Sequence, residues 1–169
     1  MAQQSTQPKV GRPIMPDGYG VPENDNTLLP WTYVEERMTA ARNYWIVTAD
    51  RASEPAATPV WGAWHAGKLY FDGAPTTRRG RNIRENSKVV VHLESGDEVV
   101  ILEGEAVILD TAPERALAEQ VAAAYSAKYA KDGYSPTPDQ WDNGGLFIFT
   151  PKKALGWSKF PENVTRWEF

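Results

Sequence analysis

Residues 68–84 read KLYFDGAPTTRRGRNIR, and the rest of the chain is organised around them. Leu69-Tyr70-Phe71 has the composition of a short strand, and Asp72-Gly73-Ala74-Pro75 that of a turn. Thr76 and Thr77 follow, and then Arg78, Arg79, Arg81 and Arg84. Either threonine suits the N-cap of a short helix, because its hydroxyl can accept from an orphan backbone N–H of the first turn. Asn86-Ser87 closes that helix. Its arginines stand at the wrong end. A helix N-terminus carries a partial positive charge, and a cation there is disfavoured by about 0.3–1 kcal/mol. An anion removes the conflict: backbone N–H groups, a threonine hydroxyl and guanidinium groups together make a phosphate cradle. A solvated, arginine-rich surface helix is the alternative these residues leave open.

Working outward, the 169 residues suit one domain and a substantial core. The net charge is −4, so a local basic cluster in a mildly acidic chain is not the footprint of general nucleic-acid binding. With no cysteine there is no disulfide framework, thiol nucleophile or thiolate metal site, which is compatible with a cytoplasmic location. The opening residues MAQQSTQPKVGRP lack the apolar segment of a secretory signal, and no apolar run is long enough to span a membrane. His65 and His92 fall on different strands without ligand spacing, so no metal site is expected. Seven tryptophans point to a large core, a ring-binding pocket or a subunit interface.

Residues 1–30 are rich in Pro, Gly, Asn and Gln and show no periodicity; they read as an arm that is flexible or laid on the surface, ahead of one domain over 31–169. Trp31, Val34 and Met38 give a short amphipathic helix. Strands are expected at 43–49, 56–65, 68–72, 88–94, 98–109, 145–150, 153–158 and 165–169, with a hairpin turn at Ala66-Gly67 and a bulge at Gly104. Pro59 lacks a ladder donor, which puts the strand over 56–65 at an edge or bulges it. Gly62 permits close approach to the backbone. Pro59 and Gly62 thus flank a place, Val60-Trp61, where backbone could face a ligand; a bent barrel strand with core tryptophans is the other reading. Thr111-Ala112-Pro113-Glu114 has the form of a capping box opening a helix to about Lys131, with Leu117, Val121, Ala124 and Tyr125 on one face. Sequential strands with hairpin-length loops predict an antiparallel barrel with helices at its rim. GxGxxG, P-loop and nucleophile-elbow motifs are absent.

The motifs PVWGAW (59–64), LYFDGAPTTRRGRNI (69–83), VVVHLESGDEVVILEGEA (89–106) and the late TRWEF resemble the split β-barrel family of flavin- and deazaflavin-binding proteins that includes pyridoxamine 5′-phosphate oxidase. The resemblance spans residues 31–169 and implies a mainly β split barrel. It also implies ring contacts from the strand over Thr58–Trp64, here Pro59, Val60, Trp61 and Gly62. It places the cofactor phosphate on Thr76, Thr77, Arg78 and Arg79, with Asn82 as a polar contact. It implies a homodimer whose subunits share each cofactor site. The Arg and Lys that the oxidase itself carries on the strand matched by Pro59–Trp64 are missing, so vitamin oxidation is not expected. The tryptophan after Val60, the HLESGD turn and the late TRW are similar to the actinobacterial branch that binds the deazaflavin coenzyme F-420, with FMN as the alternative cofactor. The resemblance thus implies an oxidoreductase passing a hydride between cofactor and a small unsaturated or aromatic-like substrate. The rivals are a non-catalytic cofactor carrier and a haem- or tetrapyrrole-binding barrel, for which His92 would be suspect. No catalytic acid is assigned; His65 and Tyr70 are candidates that a structural role also suits.

Overall fold

The computed structural model describes residues 7–169. Its strands are β1 (Lys9–Gly11), β2 (Tyr44–Ala49), β3 (Pro55–Val60), β4 (Ala63–His65), β5 (Lys68–Asp72), β6 (Lys88–His92), β7 (Val99–Ile108), β8 (Leu146–Trp157) and β9 (Thr165–Glu168). The helices are α1 (Thr32–Ala40), α2 (Arg78–Glu85) and α3 (Arg115–Tyr129). The strand order is β1-β9-β8-β7-β6-β2-β3, all antiparallel. β5 pairs with the first part of β8, and β4 with β5. Strands β3 and β4 follow each other in sequence but do not pair, so the barrel is split at Trp61-Gly62.

Alternation of side chains decides which face is the core. In β2, Tyr44, Ile46 and Thr48 are buried while Trp45, Val47 and Ala49 are half-buried on the opposite face. The inner faces of the sheet close over one cluster that includes Leu69, Phe71, Leu102, Phe149 and Trp167, capped by Val34 and Met38 of α1. A second cluster lies between α3 and the β4–β5 hairpin, built on Val121, Tyr125, Tyr129 and Trp141.

Four expectations need correction. The strand expected over 56–65 is two strands, because the ladder to β2 stops at Val60 and pairing to β5 begins at Ala63. Trp61 and Trp64 therefore do not sit on one alternating strand. Conversely, 145–150 and 153–158 are one strand, carried past Pro151 by a register shift opposite Glu103-Gly104. The capping box does not form: α3 starts at Arg115 with Glu114 as an N-cap that makes no side-chain bond. Pro113 disfavours helical backbone at Ala112, which a box at Thr111 would require. The expected arm contains β1, pinned by Arg12, whose guanidinium donates to the carbonyls of Asn24, Glu162 and Val164 and to Thr27 Oγ1. The expectation for residues 1–6 lies outside the described residues.

Other local readings hold. Ala66 and Gly67 both take positive φ, 48° and 74°, as a two-residue hairpin turn of this hand requires. β3 is the terminal strand of the sheet, where Pro59 costs no ladder bond.

Candidate cofactor site

Thr77 is the N-cap of α2: its Oγ1 accepts from Gly80 N at 3.1 Å and donates to the Ala74 carbonyl. That hydroxyl is therefore engaged within the fold, and the exposed Thr76 gives its carbonyl to Arg81. A Cβ on Gly80 would lie 2.2 Å from the Pro75 carbonyl oxygen, so glycine is what lets the turn fold back onto the helix start.

The four arginines of this segment diverge. Arg84 pairs with Asp110 and Arg81 reaches back to Thr76. Arg78 is exposed and makes only a long contact, 3.7 Å, to Glu54 Oε2. Arg79 points elsewhere. Its guanidinium lies beside the stacked rings of Phe71 and Phe147, 5.7 and 5.5 Å from their centroids, and burial lowers its pKa. Its Nε is buried without a partner, and its Nη2 would be 2.9 Å from a Cβ on Gly73. Adjacent helix positions are about 100° apart, so Arg78 and Arg79 do not point the same way.

Beside α2 runs the free edge of β3. Pro59 faces Trp45 across the ladder, and because proline has no N–H this is a non-bonded pair; Ala57 opposite Val47 has the same parity. The Pro59 carbonyl and both polar backbone groups of Ala57 thus point away from β2, toward the unpaired edge. Val60 packs its side chain against the main core. Trp61 stacks on Tyr129, with centroids 4.7 Å apart and planes 7° from parallel, and the Arg42 guanidinium lies 5.2 Å from its ring.

Two further residues assigned to the cofactor are engaged inside the fold. Gly62 is buried, its N–H donates to Tyr129 Oη at 3.1 Å, and its carbonyl accepts from Lys128 Nζ at 3.2 Å. A Cβ there would meet the Tyr70 carbonyl at 2.9 Å. The close approach read from sequence is real, but what approaches is the neighbouring strand β5. Asn82 is buried and donates Nδ2 to Thr48 Oγ1 at 3.0 Å, tying α2 to β2. What the sequence reading missed is Lys128 and Tyr129, which with Tyr125 surround Trp61-Gly62 from α3; of the three only Tyr125 was read, as part of an apolar face.

The candidate proton donors His65 and Tyr70 are neighbours, their ring centroids 6.5 Å apart. His65 Nε2 meets Gln120 Oε1 at 3.2 Å, and Tyr70 is buried with its pKa raised by desolvation. His92 lies flat against Trp45, with planes 1° apart, and its Nδ1 is held at 2.9 Å from the Leu93 carbonyl. Among the described residues no cluster of three His, Cys, Asp or Glu could hold a metal ion, and no helix is long and apolar enough to cross a membrane.

The outer sheet face carries a groove of about 480 Å³ lined by Val47, Ala49, Pro55, Val90, Glu103 and Lys153, among others. It touches neither Val60-Trp61 nor Arg78. In one chain the β3 edge and the α2 start thus form an open surface.

A family model described as pyridoxamine 5′-phosphate oxidase matches residues 33–158. No curated protein matches the sequence. Similar solved structures include the conserved hypothetical protein Rv2991 from Mycobacterium tuberculosis, 18% identical, covering 88% of this chain and 90% of that one at a TM-score of 0.62. A FAD-binding protein from Mesorhizobium loti is 18% identical, covering 83% and 95%, at a TM-score of 0.57. HutZ, the heme storage protein from Vibrio cholerae, is 17% identical, covering 71% and 88%, at a TM-score of 0.54. At these identities the likeness is one of fold.

Proposed function

Because this chain belongs to the pyridoxamine 5′-phosphate oxidase family, we propose that it is an oxidoreductase whose cofactor is the deazaflavin coenzyme F-420, with FMN as the alternative. The observation that carries this reading is the β3 edge beside α2, unpaired among the described residues, with the exposed guanidinium of Arg78 in the first turn of α2 held only by a long contact to Glu54. An edge of backbone donors and acceptors suits the polar rim of a tricyclic ring, and a helix start with an exposed arginine suits its phosphate. The residues present fit the group.

When bound, such a cofactor supplies hydride transfer. The chain's part is to bind, orient and keep water out. Arg78 and the first-turn N–H groups hold the phosphate. The backbone of Ala57 and Pro59 fixes the ring edge. Trp61, backed by Tyr129, walls one end of the ring site. The substrate is a small unsaturated or aromatic-like molecule stacked on the ring.

A second copy of the chain completes the site. The outer sheet face presents Trp45, Val47, Val90, His92 and Ile101 side by side, all only half-buried in one chain, and a contiguous face of this kind suits a partner. A symmetric dimer through this face would cover it and wall the open cofactor surface.

The test is titration of F-420 and FMN, followed by ring fluorescence and absorbance. The reduced cofactor is then re-oxidised by a panel of enones, quinones and tetrapyrroles. Binding with accelerated re-oxidation supports the oxidoreductase. Binding without it leaves a carrier, and binding of neither cofactor overturns the reading. A haemin titration of His92→Ala addresses the haem rival; the stack on Trp45 and the Leu93 contact give that histidine a packing role instead.

A further inference from the structure

The backbone at the barrel split presents a problem that the sheet cannot solve. The ladder ends at Val60 and restarts at Ala63, so the polar groups of Trp61 and Gly62 have no strand partner. Gly62 is buried, and an unpartnered buried N–H or C=O is costly.

The last turns of α3 supply the partners. Tyr125, Lys128 and Tyr129 stand at i, i+3 and i+4, on one helix face. Tyr129 Oη accepts from Gly62 N at 3.1 Å, and its single hydrogen is shared between the Arg42 carbonyl at 2.7 Å and the Gly62 carbonyl at 3.1 Å. Tyr125 Oη sits 3.3 Å from the Trp61 carbonyl. Lys128 Nζ donates to the carbonyls of Ala41 and Gly62 and to Tyr44 Oη, so its three hydrogens join the end of α1, strand β2 and the split. The Tyr129 ring also carries the Trp61 indole. A methionine at 128 would fill similar space without desolvating a charge; what lysine adds is three donors fixed at one point.

We propose that Tyr129 and Lys128, with Tyr125, are positioning residues for the cofactor strand: they hold the inward backbone atoms of Trp61-Gly62 and thereby aim the β3 edge and the Trp61 ring at the ligand. This rests on the cofactor reading above. The residues touch no cofactor themselves; they act through the strand break, and the ring, not the phosphate, feels their loss.

The test uses the full chain and the variants Tyr129→Phe, Lys128→Met and Lys128→Arg. One measurement is amide hydrogen exchange at Gly62, with Val91 in the sheet core as the internal control. The other is affinity for FMN and for lumiflavin, which has the ring without the phosphate, read by ring fluorescence. Tyr129→Phe is expected to speed exchange at Gly62 about tenfold, the loss of one hydrogen bond, and to weaken both compounds by a similar factor. Lys128→Met, which removes the donor to the Gly62 carbonyl and leaves its N–H on Tyr129, is expected to weaken both compounds, and Lys128→Arg restores part of the affinity. Arg78→Ala weakens FMN alone. Unchanged exchange at Gly62 in Tyr129→Phe overturns the proposal, as do both affinities remaining intact in Tyr129→Phe and Lys128→Met. If the unaltered protein binds neither F-420, FMN nor lumiflavin, the cofactor reading fails and takes the ring half of this proposal with it, while the Gly62 exchange still decides whether α3 holds the break.

Discussion

At the residue scale, Arg78 and Arg79 are neighbours with different work. Arg78 is exposed at the helix start with only a 3.7 Å contact to Glu54, whereas Arg79 lies against the stacked pair Phe71 and Phe147. Arg78→Ala is therefore expected to weaken phosphate-bearing cofactors by about 1.5–3 kcal/mol, the range for a charged hydrogen bond, with little change in melting temperature. Arg79→Ala is expected to lower stability by about 1–2 kcal/mol through lost cation–ring contact and packing of its stem. Parallel thermal melts and titrations separate the two; equal binding loss in both variants would return Arg79 to the cradle. Lys128 carries a pH prediction. Burial pushes its ammonium down to about 8 from the ordinary 10.5. Between those values the unfolded chain binds the extra proton, so this group makes the fold more stable as pH rises from about 8, and the effect is constant below that. The tyrosines whose pKa burial raises, Tyr125 and Tyr129 among them, act in the opposite sense, but only above pH 10. The difference in melting temperature between the unaltered protein and Lys128→Met should therefore shift in favour of the former from pH 8 to 9.5. A flat difference would mean that Lys128 keeps its usual pKa in the fold.

At the scale of elements, two long strands depend on one irregularity. β7 and β8 change register at Glu103-Gly104, opposite Pro151, and a Cβ on Gly104 would sit 2.2 Å from the Thr150 carbonyl oxygen. Gly104→Ala is expected to cost roughly 1–3 kcal/mol, as overpacking of a tight site does, visible as a lower midpoint in urea. An unchanged midpoint would mean the strands can slide apart locally. The bulge was legible because a glycine interrupts an otherwise β-branched run. The continuity of β8 through Pro151 was not, since proline reads as a strand end until the pairing with β7, which leaves Lys152 as the extra residue, is known. Helix α2 was legible from its Thr77 cap. The start of α3 was misread because a capping-box spelling outweighed the restraint that Pro113 places on Ala112.

For the whole molecule, the outer sheet face and the open cofactor edge call for the same remedy. Light scattering at micromolar concentration should give about twice the 18.8 kDa chain mass. Trp45→Glu, which puts a charge in the middle of the face, should return the mass to that of one chain and weaken cofactor binding with it. A monomeric unaltered protein would defeat the shared-site reading. The arm belongs to this scale too: β1 pairs with β9, and Arg12 ties residues 24 and 27 to the carbonyls of 162 and 164.

An antiparallel barrel, its edge strand at Pro59, the turn at Ala66-Gly67 and the arginine helix could be read from sequence, because each rests on local rules: side-chain period, a missing N–H, a positive φ, a hydroxyl cap; that the barrel is split was implied by the family resemblance. Tertiary structure alone decided which way Arg78 and Arg79 point, that Gly62 and Asn82 face inward, and that Tyr129 and Lys128 reach across 67 and 66 residues to hold the split. Those facts depend on which backbone groups the ladders leave unpaired, and a ladder's end is set by distant strands that local sequence does not contain.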